Sequence, residues 1–288
     1  MSLSLLSQKL RPALVCPACR VVLTPGTSGQ ALDCPACRQA YPIVAGQVRF
    51  VSLATPATGD AAVQQEEMHA ASFRARLSGF GRKVVSSDYT PVNQLREFMA
   101  GIGPDRVVVE LGSGSRRLTP AVINVDLFPF PHVDLVADIA RTPFPDGFAD
   151  CVIIDTVLEH VPEPTAVVNE LYRILKPGGQ AICIAPFIFP YHGYPAHYFN
   201  YTKDGLAHLF RNFSACDITM NIGPTAALTH LVSEYFALAF SGRSRSAYVF
   251  FKGLFLLPIF FFKFLDALWR HSPHAVRLSS TLCAIVTK

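Results

Sequence analysis

Acidic and glycine residues end three apolar runs in the middle of this sequence. The run VVVEL ends with Glu110 and Leu111 and is followed by Gly112 and Gly114. Asp126 closes NVD, and Asp138 closes VAD. Glycines after a strand let the backbone approach a ligand that a Cβ would exclude. A carboxylate at the end of a second strand typically accepts hydrogen bonds from ribose hydroxyls, so the pattern predicts a site for an adenosine-type cofactor.

Four of the eight cysteines form two Cys-Pro-Ala-Cys tetrapeptides. Cys16 pairs with Cys19, and Cys34 with Cys37, around the turn sequence TPGTSG. Two residues between cysteines let both thiolates reach one metal, and a hairpin between the pairs completes a tetrahedral four-sulfur site. A segment this small needs the metal for its folding free energy. We predict structural zinc, because four thiolates leave no open coordination position.

A third candidate for chemistry is the aromatic segment PFIFPYHGYPAHYFNYT at residues 186–202. Imidazole titrates near neutral pH, so His192 or His197 is a candidate general base for a substrate hydroxyl. The alternative is that the rings shape an acceptor pocket while the histidines bond locally. His160, within LEHV, is expected to organise the wall of the site.

Alternating strands and helices must position these residues. We predict helices at 164–175 and 203–211, two lead-in helices between 66 and 100, and strands at 107–111, 121–127, 133–139, 151–156, 180–187, 216–223 and 279–288. Parallel strands in such an arrangement bind ligands outside their carboxyl ends. The fold class is therefore α/β.

The motifs VELGSGS, NVDL, ADIARTPFPDGFADCVIIDTVLEHVPEP and ELYRILKPGGQ, within about 105–185, resemble class I S-adenosylmethionine-dependent methyltransferases of the type 11 group. The resemblance implies a Rossmann-like seven-stranded sheet that binds S-adenosyl-L-methionine. The cysteine segment resembles Trm112-like zinc ribbons. By this resemblance, the methionine end contacts Glu110, Gly112, Gly114 and Asp155. The ribose is held by Asp126, and the adenine lies between Asp138 and Ile139.

The chain departs from the family pattern at two places. Arg116 stands where the family has its third glycine, and the interval from Gly112 to Asp126 leaves little room for a helix. We therefore expect an unusually open cofactor pocket. The expected domains are a zinc ribbon (1–53), a linker with lead-in helices (54–104), the cofactor-binding core (105–223), an apolar helical insertion (224–278) and a final core strand (279–288).

Residues 247–269 are the most hydrophobic segment of the chain. The uncharged stretch between Lys252 and Lys263 is shorter than the ~20 residues that cross a bilayer. We expect either a helix in the membrane interface, with both lysines at the headgroups and Trp269 at the boundary, or packing against the sheet or in a homodimer. Without a signal-peptide pattern or a disulfide framework, we expect a cytoplasmic protein, peripheral at the inner face of the membrane if this segment binds lipid.

Three functions remain open from the sequence. The first is methyl transfer to a hydroxyl of a small-molecule, glycan or lipid-linked acceptor. The second is base methylation of ribosomal RNA gripped by the ribbon; the net charge of +4 and only three arginines at residues 14–51, Arg20, Arg38 and Arg49, argue against nucleic acid. The third is a non-catalytic, membrane-associated scaffold with a degenerate methyltransferase fold.

Overall fold

The computed structural model describes residues 10, 14–51, 94–193, 196–256 and 259–288. The expected linker and most of the expected lead-in helices, within 52–93, lie outside the described residues. One helix, α1 (Gln94–Ala100), precedes the core strands.

The described strands form one sheet in the order β1-β2-β3-β4-β7-β6-β5-β8-β9-β11-β10. Their bounds are β1 (Thr24–Pro25), β2 (Ala31–Asp33), β3 (Ala40–Val44), β4 (Gln47–Arg49), β5 (Val108–Leu111), β6 (Ile123–Asp126), β7 (Leu135–Val136), β8 (Ala149–Asp155), β9 (Leu175–Pro186), β10 (Ala215–Ile222) and β11 (Thr281–Thr287). The remaining helices are α2 (Pro164–Ile174), α3 (Lys203–Leu209), α4 (Pro224–Ser241) and α5 (Arg245–Leu256), with 3₁₀ helices at Leu158–His160, Phe260–Trp269 and Ala275–Arg277.

Seven of these strands, β5 to β11, make the expected Rossmann-like core. β7, β6, β5, β8 and β9 run parallel, and β11 inserts antiparallel between β9 and β10. Every residue of β5 and β6 is buried, as parallel strands covered on both faces require. α2 begins with Pro164 in its first turn and buries Val167, Leu171 and Ile174, which lie on one helical face.

The sheet is larger than the seven strands expected, because the cysteine segment adds its own strands to it. β4 pairs in parallel with β7, with Val48 opposite Leu135 and Arg49 opposite Val136. We call residues 14–51 the ribbon. It therefore extends the core sheet rather than forming a separate body.

The interval between β5 and β6 holds turns and bends but no helix, as its short length predicted. Side-chain hydrogen bonds stabilise this connection instead. Arg117 donates to the carbonyl of Val122 at 3.0 Å and to Asp134 at 2.8 Å, and Asn124 donates to the carbonyl of Arg116 at 2.9 Å. These bonds fix the glycine turn without a helix behind it.

The apolar insertion between β10 and β11 is helical, as expected. Asp266 is buried and accepts from the backbone N–H groups of Thr225 and Ala226 at 2.7 and 3.1 Å, which caps the start of α4. Lys263 is only 2% exposed, so it does not reach outward as the interfacial-helix expectation required. Within the described residues no single helix is long and apolar enough to cross a membrane. The helix α5 and the 3₁₀ helix that follows reach that length and composition only together, and the pair is bent by 57°.

Candidate active site and candidate metal centre

The candidate active site lies where the strand order reverses, at the carboxyl end of β5 between β6 and β8. Gly112 follows β5 with φ +77°, and a Cβ there would lie 2.5 Å from a methyl carbon of Val157. A larger residue would therefore be both strained and blocked. Gly114 has φ +58° and open space where its Cβ would be. The turn thus leaves a concave backbone surface at the end of β5.

Asp126 ends β6 with its carboxylate held beside this turn. It accepts from the N–H of Gly114 at 2.7 Å and from that of Phe128 at 2.9 Å. Burial raises the pKa of Asp126, and these N–H groups oppose the rise. Each oxygen retains a second lone pair, which a ligand hydroxyl can use. Asp138 lies beyond β7, exposed, and accepts from Ala140 at 2.9 Å, while the neighbouring Ile139 is buried.

Glu110 and Asp155, at the ends of the adjacent strands β5 and β8, share one arginine. Arg116 donates from Nε and Nη2 to Glu110 Oε1 at 3.0 and 2.6 Å, and its Nη1 lies 2.8 Å from Asp155 Oδ2. The other oxygen of Glu110 is buried with no hydrogen-bond partner among the described residues. Burial raises the pKa of Glu110 more than Arg116 lowers it. The side chain at the third-glycine position therefore pairs with two of the expected cofactor-binding carboxylates.

The aromatic segment 186–202 covers the turn that follows β8. Tyr201 donates from its hydroxyl to the carbonyl of Leu158 at 3.0 Å, and the N–H of Tyr198 donates to the carbonyl of Glu159 at 2.7 Å. These bonds bring His192 beside the turn. Its Nε2 lies 3.7 Å from Glu159 Oε1, and the Nε2 of His160 lies 3.9 Å from the same oxygen.

The two candidate bases differ in what their ring nitrogens contact. His197 accepts from the N–H of His192 at Nδ1, and its Nε2 lies 2.9 Å from Asn200 Oδ1, so both nitrogens are engaged within the protein. His192 contacts the carbonyl of Pro190 at Nδ1 and faces Glu159 with Nε2. Burial lowers the pKa of His192, but the Glu159 carboxylate more than offsets this and leaves it raised; burial lowers the pKa of His160.

The four cysteines meet as predicted, in a cluster that could hold one metal ion. The sulfurs of Cys16 and Cys37 lie 3.6 Å apart and those of Cys19 and Cys34 lie 3.3 Å apart, and all four lie within 4.8 Å of one another. Tetrahedral zinc with ~2.3 Å bonds places its sulfurs ~3.8 Å apart, so the donor set fits that ion closely. Burial raises the pKa of the Cys16 thiol, but hydrogen bonds, first that from Tyr41, lower it to about 6.

The ribbon contacts the core beside its metal cluster as well as through β4. Arg20, which follows the first cysteine pair, donates to the carbonyl of Thr142 at 2.8 Å and lies 3.3 Å from Glu170 on α2. Glu170 is buried and also bonds to Thr142 and Arg173. The cysteine cluster is therefore tied to the helix that packs on the core sheet.

Sequence reasoning missed Glu159 and the bridging role of Arg116. Glu159 lies within LEHV, directly before His160 and shortly after β8, while His192 follows β9. Since β8 and β9 are neighbours and parallel, both residues must lie at the same end of the sheet. That adjacency was the available signal. For Arg116 the signal was the replaced glycine, but the sequence did not show where its guanidinium would lie.

Comparison with known proteins divides the chain in the same way. The methyltransferase domain family matches residues 108–183, and the Trm112p-like protein family matches residues 7–46. The chain is 37% identical over 84 residues to demethylmenaquinone methyltransferase of Anoxybacillus flavithermus, which covers 29% of this chain and 35% of that protein. It is 28% identical over 130 residues to an uncharacterised 37.1 kDa protein of a Streptomyces fradiae transposon, covering 45% of this chain and 36% of that one.

The chain therefore spans about a third of the length of these relatives. Among solved structures, a 1,6-didemethyltoxoflavin-N1-methyltransferase from Burkholderia thailandensis, with S-adenosylhomocysteine bound, aligns with a TM-score of 0.44 at 15% identity, over 88% of this chain and 96% of that one. The two family matches coincide with the core and the ribbon. The chain thus joins a segment similar to methyltransferase domains, at residues 108–183, to a Trm112p-like segment at residues 7–46.

Proposed function

We propose that this protein transfers a methyl group from S-adenosyl-L-methionine to a hydroxyl of a small-molecule, glycan or lipid-linked acceptor. The observation that carries the proposal is the set of carboxylates around the glycine turn, inside the segment that matches the methyltransferase domain. Glu110, Asp126 and Asp155 end three neighbouring strands at the point where the strand order reverses. When bound, the cofactor supplies a methyl group on a positively charged sulfur.

The chain's own residues would hold that cofactor by its hydroxyls and its charge. Asp126 is proposed to accept from the ribose hydroxyls with its unused lone pairs. Glu110 and Asp155 are proposed to face the methionine end, where an ammonium group would compete with Arg116 for them. Asp138 and Ile139 are proposed at the adenine, the first as a hydrogen-bond acceptor and the second as an apolar surface.

The acceptor is proposed to lie beneath the aromatic segment 186–202. This segment covers the end of β8 and combines His192 with exposed rings, among them Tyr191 (78% exposed) and Tyr198 (53% exposed). Such rings pack against the faces of sugar or apolar groups while histidine and carboxylate groups remain available to a hydroxyl. The described cluster of Glu159, His160 and His192 is the proposed place where that hydroxyl is activated.

A membrane surface is the proposed source of a lipid-linked acceptor. The outer faces of α4, α5 and the 3₁₀ helix after them expose large apolar side chains, including Leu238 (67%), Phe250 (63%) and Leu268 (73%). A surface of this kind indicates contact with a lipid or a partner rather than with water. The location we propose for the protein is cytoplasmic and peripheral, at the inner face of the membrane.

Two further assignments complete the proposal. The ribbon is proposed to hold structural Zn²⁺ through Cys16, Cys19, Cys34 and Cys37. The alternative in which the ribbon grips RNA loses support because Arg20 bonds to Thr142 and Glu170 of the core.

Calorimetric titration of the zinc-loaded protein with S-adenosylmethionine tests the cofactor assignment. We expect Asp126→Ala to weaken binding about 10- to 100-fold, since hydrogen bonds to a charged group contribute ~1.5–3 kcal/mol. Asp105→Ala, at an exposed aspartate outside the site, is the matched control and should bind as the unaltered protein does. If the folded, unaltered protein does not bind the cofactor, the scaffold alternative replaces the proposal.

A further inference from the structure

One buried carboxylate, that of Glu159, makes no hydrogen bond to any described residue. Glu159 is 0% exposed, and neither of its carboxylate oxygens has a hydrogen-bond partner among the described residues. A buried ionised carboxylate without a partner is costly, so such groups in folded proteins are paired or bind metals. We call Glu159, His160 and His192 the Glu159 cluster.

In their neutral form, the two histidines of this cluster turn lone pairs toward Glu159. Nδ1 of His160 contacts the carbonyl oxygen of Ala196, and Nδ1 of His192 lies 3.2 Å from that of Pro190. A carbonyl oxygen only accepts, so each Nδ1 carries the hydrogen. In the neutral ring the remaining Nε2 is then an acceptor, and both Nε2 atoms lie within 4 Å of Glu159 Oε1, at 3.9 and 3.7 Å.

With both rings neutral, three acceptors therefore converge with no donor among them, and a metal cation between them would satisfy all three. Histidines that bind metals almost always donate their other ring N–H to a carbonyl or carboxylate, as both histidines do here. We propose that Glu159, His160 and His192 form a site for a divalent transition metal, separate from the four cysteines.

The dimensions of the cluster agree with this site. Its candidate ligand atoms all lie within 4.8 Å of one another. Bonds of ~2.0–2.2 Å in a tetrahedral site would place ligand atoms ~3.3–3.6 Å apart. The two histidine nitrogens lie 3.7 and 3.9 Å from Glu159 Oε1, so small side-chain rotations would bring these two pairs to that spacing. Two imidazoles and one carboxylate suit Zn²⁺, Fe²⁺, Co²⁺ or Mn²⁺, and three protein ligands leave coordination positions open.

The position of the site suits a metal that activates the acceptor hydroxyl. This role rests on the proposed function. Glu159 lies four residues after Asp155, one of the carboxylates proposed to face the methionine, and His192 lies on the segment proposed to cover the acceptor. An acceptor hydroxyl bound to the metal would lose its proton to water, because the metal lowers its pKa. The resulting oxygen anion would form the new O–C bond as the C–S bond breaks, with that electron pair remaining on sulfur.

Cobalt titration of the full-length protein, with its ribbon zinc in place, tests the metal site. We expect the unaltered protein to bind one Co²⁺ per chain beyond the ribbon metal, with d–d absorption but no thiolate-to-cobalt charge transfer. Glu159→Gln and His192→Gln should each weaken this binding at least ~100-fold, since losing even a group that only hydrogen-bonds to a metal ligand costs about 10–100-fold. His208→Gln, at an exposed histidine of α3, is the matched control and should bind normally.

Two results would overturn the metal site. One is that the unaltered protein takes up no Co²⁺ beyond the ribbon; the cation facing Glu159 is then a proton on His192. The other is that Glu159→Gln binds Co²⁺ as tightly as the unaltered protein, while ribbon zinc content shows that the variant is folded. The proposed function fails separately: cobalt binding without S-adenosylmethionine binding rejects the methyl transfer but keeps the metal site.

Discussion

Replacing Arg116 with glutamine should destabilise the protein by about 2–3 kcal/mol at pH 7. The substitution removes the guanidinium that bonds to Glu110, whose side chain is 1% exposed, and to Asp155, whose side chain is 15% exposed. Each charge-assisted hydrogen bond contributes ~1.5–3 kcal/mol, and a buried carboxylate left without its partner costs ~3–5 kcal/mol. The lower end applies because Arg116 is itself 45% exposed.

Protonation of Glu110 sets a ceiling on this cost. In the variant the pKa of folded Glu110 should rise further above its ordinary value of 4.5. The carboxyl takes up a proton once that becomes cheaper than staying charged, and the interval from 4.5 to pH 7 corresponds to ~3.4 kcal/mol at ~1.36 kcal/mol per pH unit. A raised folded pKa costs nothing below 4.5; the cost grows as pH rises from 4.5 to the folded pKa and is constant above it. At pH 5 the same ceiling is therefore only ~0.7 kcal/mol.

Urea unfolding at pH 7 and pH 5, with zinc present, measures both values. Arg141→Gln, at an exposed arginine, is the matched control and should change stability by less than ~0.5 kcal/mol at either pH. A variant at Arg116 that is as stable as the control at pH 7 would show that the bridge to Glu110 contributes nothing. An equal loss at both pH values would show that protonation of Glu110 does not limit the cost.

Three further changes have defined outcomes. Asp150→Asn should cost about 1–2 kcal/mol at pH 7. Burial raises the Asp150 pKa, but hydrogen bonds, first that with Lys176, lower it from 3.8 to about 2. The stabilisation is therefore full above pH 4 and lost as pH falls through 2, so acid unfolding curves of the variant and the unaltered protein should converge there. Cys34→Ser should abolish ribbon zinc, measured as metal content, and speed amide exchange in the ribbon strands; unchanged zinc would refute a four-cysteine site. Phe250→Glu combined with Leu254→Glu should reduce co-sedimentation with anionic vesicles, whereas loss of a dimer by gel filtration would instead assign this face to self-association.

The strand-end residues could be predicted from the sequence because parallel topology leaves little choice about where they lie. Once β5, β6 and β8 are neighbours, Glu110, Asp126 and Asp155 must end at one side of the sheet. The cysteine pairs were predictable for a similar reason, since their short spacing restricts the backbone to a tight turn.

Contacts made by long side chains and distant segments could not be predicted in this way. The reach of Arg116 depends on its rotamer, and Asp266 caps a helix that begins about forty residues earlier in the chain. Lys263 was expected at a lipid surface because hydropathy describes a segment and not the direction of each side chain. The pairing of β4 with β7 was missed because strands of two or three residues leave almost no sequence pattern.

The position of β11 affects the order in which this protein can fold during synthesis. Among the described strands β10 pairs with β11 alone, yet roughly sixty residues separate their sequences. A growing chain must therefore extend β10 and the phenylalanine-rich helices after it before the strand that joins them to β9 exists. Non-local closure of this kind is slow, and meanwhile apolar surface is exposed. Insertion of β11 is thus the step at which a nascent chain would depend most on chaperones.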